Sequence, residues 1–481
     1  MKNPDTSFFG HPRALMTLFF TEMWERFSYY GIRALLILYM TAAPDTGGLG
    51  LSVAAAGAIY GLFTAAAYIF ALPGGWIADR FLGQQKSVIL GGALIAIGNF
   101  VMMTPSQGVL VASLLLIALG TGFLKTSCTT TVGFLYKPGD VRRDAGFSLY
   151  YVGINLGAFI APLACGYVGQ KIAYRYAFAM AGVCMIAGLI QYLLTRGQLR
   201  GAGEHPAVKA TAQDRRTLGI GCAVLAAIVA FVAIAGVPMK QVADAFAAVL
   251  VVAVAATFAG LLLSKGFSAE EKRRVVVVLV LFLASCVFWS IFEQAGSTLN
   301  LFADRSTNNV VFGWAYPSSY FQSLNSLYII CGMAAFFAWL WVRMGEKDPS
   351  VVTKFAFGLL GAGLGFGVMM WAAQAAAGGA KVSPWWLAVC YALHSAGEMC
   401  LSPVGLSAMS KLAPARIAGF MMGVWFLSIS AGNFLGGYLA TFYESLPLES
   451  LFGYVGAFGC TMGVLMLVIS KPVTKLMGGV R

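Results

Sequence analysis

The chain has 481 residues, of which 59% are hydrophobic and only 11% are charged, and its formal net charge is +13. With a mean hydropathy of +0.79, this composition excludes a water-soluble globular protein and predicts an all-α protein that crosses a membrane many times. The basic excess does not indicate nucleic-acid binding, because the Lys and Arg residues concentrate on one predicted side of the membrane.

Twelve strongly apolar segments are long enough to cross the hydrocarbon core as helices, which takes about 20 residues. They lie near residues 14–40, 51–78, 87–104, 109–135, 145–169, 174–195, 275–303, 315–342, 355–376, 384–410, 417–443 and 450–470. Two weaker apolar helices are predicted near 217–237 and 244–264, which gives fourteen helices in total.

The order of these segments predicts two similar halves with an insertion between them. The predicted domains are a six-helix bundle at 1–195, linkers with the inserted helix pair at 196–274, and a second six-helix bundle at 275–481. Polar residues recur at corresponding offsets in the two halves, namely Glu22 with Glu293, Lys125 with Glu398, and Asn155 with Asn433.

The charge distribution predicts the topology. Of the 32 Lys and Arg residues, 24 fall in the termini and loops of one side, five in the loops of the other, and three within spans. The positive-inside rule then places both termini in the cytoplasm, in a multi-pass protein of the inner membrane.

Residues 1–13 carry no apolar segment with a cleavage site, so no removable signal peptide is expected. The nine cysteines follow no metal-site or disulfide spacing, which predicts free thiols and no metal.

The first span contains the stretch TEMWERFSYYGIR at 21–33, which places four charges in an apolar helix. A charge at bilayer depth costs about 2.5–3.5 kcal/mol on insertion scales, so such residues usually face a polar pathway. Helical spacing puts one polar stripe on this helix, and Glu22 can pair with Arg26. The stripe consists of Glu22, Glu25, Arg26, Tyr29, Tyr30 and Arg33.

Three further charged residues lie within other spans, namely Lys125, Glu293 and Glu398. The seven together indicate a central polar site, if they share one cavity. Four acids and three bases leave one carboxylate in excess, and burial favours its protonated form. Such a carboxyl group is a natural proton carrier.

The loop after the second span reads GGWIADRFLG at 74–83, with Gly, Asp, Arg and Gly in the order found in the major facilitator superfamily. Duplicated six-helix halves around a midplane site are also the plan of such secondary transporters. The fold class predicted is therefore a major facilitator fold with two extra central helices. By this resemblance Asp79 and Arg80 are gate or hinge residues.

Within that superfamily the sequence resembles the proton-coupled oligopeptide transporters of the bacterial branch. The resemblance rests on Glu22-x-x-Glu25-Arg26 with Tyr29, Tyr30 and Gly31, on GGWIADRFLG, and on FSLYYVGINLGAF at 147–159. The segments FWSIFEQAGSTLN, QSLN, SAGEMCLSP and GVWFLS, around Glu293, Asn325, Glu398 and Trp425, extend the match over nearly the whole chain. It implies a symporter that imports di- and tripeptides by alternating access.

A peptide has an anionic and a cationic end, so a general peptide site needs a group of each sign. Arg26 and Lys125 are candidates for the carboxylate, where a guanidinium favours bidentate contact, and the resemblance adds Tyr30. Glu398 is the candidate for the amino end, with Asn155 and Asn325 by the family pattern. The side-chain pockets are assigned to Tyr29, Tyr68, Trp289 and Trp425, although aromatic residues are so frequent here that some must only pack.

The predicted cycle uses protons as the coupling ion and needs no cofactor. Glu22, Glu25 and Glu293 take part in proton coupling, with the first two acting on Arg26. Arg33 with Glu293 forms an outer gate pair, and Lys125 with Glu398 an inner one. The partners expected are small peptides, protons and the bilayer, and the protein is expected to be a monomer.

Some features leave alternatives open. The second span contains no histidine, so proton handling falls to carboxylates. His394 lies one turn before Glu398, but a lone histidine at such a position more often packs in the core than takes part in the site. The fold also carries other small metabolites, and a peptide sensor without net transport would keep the same binding residues. An enzyme is not predicted, because no nucleophile, base and orienting group fall at usable spacing.

Overall fold

In the computed structural model the described residues are 7–137, 139–413 and 417–477. They form fourteen helical segments, which confirms the predicted number and the all-α class. The segments are α1 (Arg13–Thr41), α2 (Val53–Leu82), α3 (Gln84–Val101), α4 (Gln107–Phe134), α5 (Arg143–Lys171), α6 (Tyr174–Thr195), α7 (Ala212–Ile234), α8 (Met239–Leu263), α9 (Ala269–Arg305), α10 (Ser318–Lys347), α11 (Val351–Ala376), α12 (Trp385–Leu412), α13 (Ala418–Leu439) and α14 (Leu448–Leu476).

Hydropathy locates these helices well, but it misplaces some of their ends. Eleven of the described segments are long and apolar enough to span a membrane by length and composition. The segments α1, α3 and α12 are not among them, and α1 carries the charged stripe. Helix α9 begins at Ala269, six residues before the predicted 275, because Ser268 and Glu271 form a capping box ahead of the apolar run. Helix α10 begins at Ser318 and not at 315, since Pro317 and a short hairpin precede it.

Contacts divide the described chain into two compact units. The first takes in the described residues up to Gly50 together with Ala66–Val242, and the second takes in Leu51–Ala65 and the described residues from Ala243 onward. Helix α2 is therefore shared between the units. The predicted domains at 1–195, 196–274 and 275–481 follow chain order and stay a prediction.

In the first unit, α1 packs along α5 and α6, and α3 packs along α4. The contact between α1 and α5 is close because α5 presents glycines to it. A Cβ atom at Gly157 would lie 2.3 Å from the backbone oxygen of Met23, and one at Gly153 would lie 2.9 Å from the ring of Phe19. These glycines bring α5 directly against the charged stripe of α1.

In the second unit, α11 packs between α12 and α14, and α9 packs on α13. A tight turn at Glu293–Gly296 interrupts α9, and Ser297 leaves helical geometry there. A two-stranded hairpin follows α9, with Val310 opposite Ala315 and Val311 opposite Trp314. The first part of α2 lies on α13, where a Cβ atom at Gly57 would be 2.9 Å from the backbone oxygen of Gly437.

The inserted helices α7 and α8 are distributed between the two units. Helix α7 belongs to the first unit. No residue in its most apolar stretch is buried by the rest of the described chain. Helix α8 packs in the second unit, where the ring of Phe246 meets that of Phe434 at 4.9 Å and the Tyr438 hydroxyl donates to Asp244 at 2.8 Å.

Candidate functional site

The charged stripe of α1 is buried inside the first unit. Glu22 and Glu25 are 0% exposed and Arg26 is 3% exposed. Arg26 Nε lies 3.3 Å from Glu22 Oε1 and also contacts Glu25 Oε2, so the predicted pair of Glu22 with Arg26 is confirmed. Among the described residues, Nη2 of Arg26 is buried without a hydrogen bond, although it carries protons to donate.

Aromatic rings lie next to the basic residues of this stripe. The Arg26 guanidinium lies 5.2 Å from the ring centre of Tyr29, and that of Arg33 lies 5.6 Å from the ring centre of Tyr30. The rings of Tyr29 and Tyr30 meet edge to face at 5.3 Å. Such cation–π contacts attract each guanidinium to its ring electrostatically.

Helices α4 and α2 add a second basic group to the unit. Lys125 Nζ lies 4.0 Å from the ring centre of Tyr68, and both side chains are partly exposed. On α5, Asn155 donates to the backbone oxygen of Tyr151 at 3.0 Å. The structure thus places Tyr68 and Lys125 together.

Two hydroxyl groups that sequence reasoning missed hold the carboxylates of α1. Tyr150 on α5 donates to Glu22 Oε2 at 2.6 Å, and Thr121 on α4 donates to Glu25 Oε1 at 3.1 Å. Tyr150 lies inside the recognised FSLYYVGIN stretch, but the stretch alone does not show which of its side chains meets α1. Gly153 and Gly157 lie at helical spacing from Tyr150, and they indicate that this face of α5 packs closely against another helix.

In the second unit, Glu398 on α12 is held by a neighbouring amide. Asn325 Nδ2 on α10 donates to Glu398 Oε2 at 2.9 Å and to Ser395 Oγ at 3.0 Å. Glu398 is 8% exposed. His394, one turn earlier, stacks on Phe366 at 5.6 Å and contacts the backbone oxygen of Ala362 at 3.2 Å, so it is a packed residue as expected.

The remaining candidates of the second unit occupy its aromatic core and the break in α9. Trp425 is 2% exposed and lies over Gly405, where a Cβ atom would come within 2.2 Å of the indole. Trp289 packs against Phe288 and Phe292, and its indole nitrogen is buried without a partner in the described chain. Glu293 is 7% exposed and lies at the start of the tight turn.

Of the predicted gate residues, Arg80 binds the first turn of α7 and Asp79 binds the start of α3. Arg80 Nη1 lies 2.8 Å and 2.9 Å from the two carboxylate oxygens of Asp214. Asp214 also forms the capping box of α7 with Thr211, and Gln84 donates to Asp79 at 2.6 Å. Sequence reasoning missed Asp214, which the pattern Thr-x-x-Asp at a helix start indicates.

The pairs predicted between Arg33 and Glu293, and between Lys125 and Glu398, stay predictions. In the described parts of the chain, no group of three or more His, Cys, Asp or Glu side chains is arranged to hold a metal ion. All nine cysteines are free. Each unit therefore contains acids held by hydroxyl or amide partners, and aromatic rings lie beside Arg26, Arg33 and Lys125 of the first unit.

A helical membrane fold with buried, paired charges defines a solute carrier of the major facilitator type. The sequence model of the POT family matches residues 85–457, more than half of the chain. The chain therefore belongs to the POT family. This is a family of transporters, so the prediction that the protein is not an enzyme is confirmed.

Similar proteins cover the chain from end to end. The peptide transporter YePEPT of Yersinia enterocolitica is 39% identical and covers 98% of this chain and 96% of its own. The di-/tripeptide transporter of Lactococcus lactis is 36% identical, and the match covers 100% of this chain and 99% of the relative. A crystal structure of a peptide transporter POT in complex with sulfate has a TM-score of 0.93 and 40% sequence identity, and the match covers 99% of this chain and 98% of that one.

Proposed function

We propose that this protein imports di- and tripeptides together with protons by alternating access. The observation that carries the proposal is the buried Arg26, which is flanked by two carboxylates and keeps two nitrogens, Nε and Nη2, without a hydrogen bond in the described chain. The two relatives described above are both named as peptide transporters, which supports the same cargo.

The carboxylate end of the peptide is assigned to the first unit. A guanidinium with an unused buried donor is suited to a carboxylate, because it forms charge-assisted hydrogen bonds of fixed geometry. Lys125 adds a second positive charge, and Tyr30 a hydroxyl group. Tyr29 and Tyr68 contribute to the walls, since their rings hold Arg26 and Lys125 in place.

The amino end is assigned to Glu398 in the second unit. Its carboxylate is oriented by Asn325, and Asn155 is a further amide candidate. Trp289 and Trp425 contribute apolar surface for peptide side chains. A cationic amino group gains most from a carboxylate that is already fixed by neighbouring donors, because little side-chain freedom is lost on binding.

Proton coupling is assigned to Glu22, Glu25, Arg26 and Glu293. A proton on either carboxylate beside Arg26 removes one of its counter-charges and changes how strongly it attracts a peptide carboxylate. Arg33 with Glu293 and Lys125 with Glu398 are the proposed gate pairs, and Asp79 with Arg80 is the proposed hinge. The protein works as a monomer in the inner membrane with cytoplasmic termini, which lie outside the described residues.

The test is uptake of labelled dialanine into proteoliposomes with and without an inward proton gradient. We expect gradient-driven accumulation by the wild type, and loss of accumulation with retained peptide exchange in Glu293→Gln. We expect Glu398→Gln to weaken uptake of dialanine and to spare binding of N-acetyl-dialanine, which lacks the cationic end. Glu346→Gln is the matched control, because Glu346 is exposed at the end of α10.

Dialanine binding without accumulation by the wild type would contradict import and indicate a sensor. Transport of a different solute without any dialanine binding would indicate another carrier of the same fold.

A further inference from the structure

The carboxylate of Glu22 has two different partners for its two oxygens. Oε1 lies 3.3 Å from Arg26 Nε on the same helix, and Oε2 accepts a hydrogen bond of 2.6 Å from the Tyr150 hydroxyl on α5. Glu22 is 0% exposed and Tyr150 is 3% exposed. A hydrogen bond this short between a hydroxyl and a carboxylate is typical of the charge-assisted kind.

The position of Tyr150 is fixed by the packing of its helix. Gly153 and Gly157 follow it at three and seven residues, so all three lie on the face of α5 that meets α1. Neither glycine leaves room for a side chain, because the backbone oxygens of Phe19 and Met23 would lie within 3.0 Å and 2.3 Å of a Cβ atom. The close contact of the two helices therefore fixes the backbone of α5 at Tyr150 relative to Glu22 and brings the hydroxyl within hydrogen-bond distance of the carboxylate.

The charged and titratable groups around Glu22 come from three helices. Helix α1 supplies Glu25 and Arg26, and α4 supplies Lys125 and Cys128, whereas α5 supplies Tyr150. Helix α6 presents the neutral Gln191, which accepts from Thr21 at 3.3 Å. Tyr150 is thus the hydroxyl donor to Glu22 within a cluster otherwise made of ion pairs and a thiol.

We infer that Tyr150 is a positioning residue for proton coupling: its hydroxyl donates to Glu22, turns the carboxylate toward Arg26, and so sets the pH at which Glu22 accepts its proton. This inference rests on the proposed function. When a proton from the outer solution binds Glu22, the carboxylate becomes a neutral acid and its ion pair with Arg26 ends. Arg26 then keeps Glu25, which Thr121 orients.

The experiment compares the pH dependence of proton-driven dialanine uptake in the wild type and in Tyr150→Phe, each normalised to its own plateau at acidic pH. A hydrogen bond donated to a carboxylate favours its ionised form, so its removal lets Glu22 bind a proton at higher pH. The expected result is an upward shift of the half-maximal pH by about one unit or more.

The matched control is Tyr167→Phe, which removes the same atom from the same helix. Tyr167 is 47% exposed, and its variant is expected to keep the wild-type profile. A second variant carries 3-fluorotyrosine at position 150. It keeps the packing, and its more acidic hydroxyl is a stronger donor, so its half-maximal pH is expected to move downward. In a Glu22→Gln background, neither change at position 150 is expected to move the profile further.

An unchanged profile in both variants at position 150, beside proton-coupled uptake by the wild type, would overturn this inference alone. Absence of any proton-driven uptake by the wild type would overturn the proposed function instead. Equal shifts of both variants in the same direction would show that packing of the ring, and not its hydroxyl, is what matters.

Discussion

The two units hold their buried carboxylates in different ways. In the first unit, Glu22 and Glu25 share the guanidinium of Arg26, and each also accepts from a hydroxyl group. In the second unit, the amide of Asn325 donates to Glu398. A guanidinium compensates charge, whereas an amide orients a carboxylate without changing the net charge. Under the proposed function, the first arrangement serves proton coupling and the second receives the amino end of the peptide.

The largest expected effect follows from removal of the shared guanidinium. Arg26→Gln leaves two neighbouring carboxylates in the interior of the first unit without their common counter-charge. Loss of one partner from a buried ion pair costs about 3–5 kcal/mol of stability, and dialanine uptake is expected to disappear. Thermal melting in detergent and proteoliposome uptake measure the two effects.

The control for this change is Arg175→Gln, because Arg175 is exposed at the start of α6. If Arg26→Gln melted at the same temperature as the control and still accumulated peptide, the shared ion pair would have no part in the mechanism.

The next change concerns the amide of the second unit. Asn325→Ala removes the donor to Glu398, and a hydrogen bond to a charged group is worth about tenfold or more in an equilibrium constant. We expect dialanine affinity to fall by at least about tenfold, while the affinity for N-acetyl-dialanine is retained. Binding by scintillation proximity measures both ligands. Asn308→Ala is the control, since Asn308 is exposed, and equal loss for both ligands would contradict the assignment of the amino end.

A third change tests the close packing of α5 on α1 in the first unit. Gly157→Ala forces a methyl group against the backbone oxygen of Met23, which cannot turn aside. Overpacking of this kind costs about 1–3 kcal/mol. Gly221→Ala on α7 meets nothing within 4 Å, and there alanine is expected to stabilise the helix by up to about 1 kcal/mol. Thermal melting should separate the two variants, and equal melting temperatures would refute the account of this contact.

The smallest expected effect concerns the link between Arg80 and Asp214. Because these side chains are 35% and 12% exposed, their ion pair is worth about 0.2–1 kcal/mol. A double-mutant cycle of Arg80→Gln and Asp214→Asn measures this coupling from the melting of the four proteins. If the stability losses of the two single variants simply add in the double variant, the ion pair does not stabilise the first unit.

Much of the fold followed from the sequence, because membrane helices are encoded by the length of apolar runs. All fourteen segments were predicted, as was the pair of Glu22 with Arg26, since a spacing of four residues brings two side chains of one helix together. The ends of α9 and α10 were missed by three to six residues, because capping residues and polar first turns lie outside the apolar run.

The contacts between helices could not be predicted in the same way. Tyr150 and Thr121 lie far from Glu22 and Glu25 in the chain, and only the register of α4 and α5 against α1 brings them together. The same holds for Arg80 and Asp214, which are 134 residues apart. The division of α2 between two units likewise depends on packing, and no pattern within the helix indicates it.

The most direct test of the central claim is to follow peptide and proton entry together. Proteoliposomes loaded with a pH-sensitive dye would receive labelled dialanine under an inward proton gradient, with protein-free liposomes and Glu293→Gln as controls. The account predicts that dialanine accumulates above its outside concentration and that its addition accelerates acidification of the wild-type vesicles alone. Accumulation without added acidification, or equilibration of the peptide without accumulation, would contradict proton-coupled peptide import.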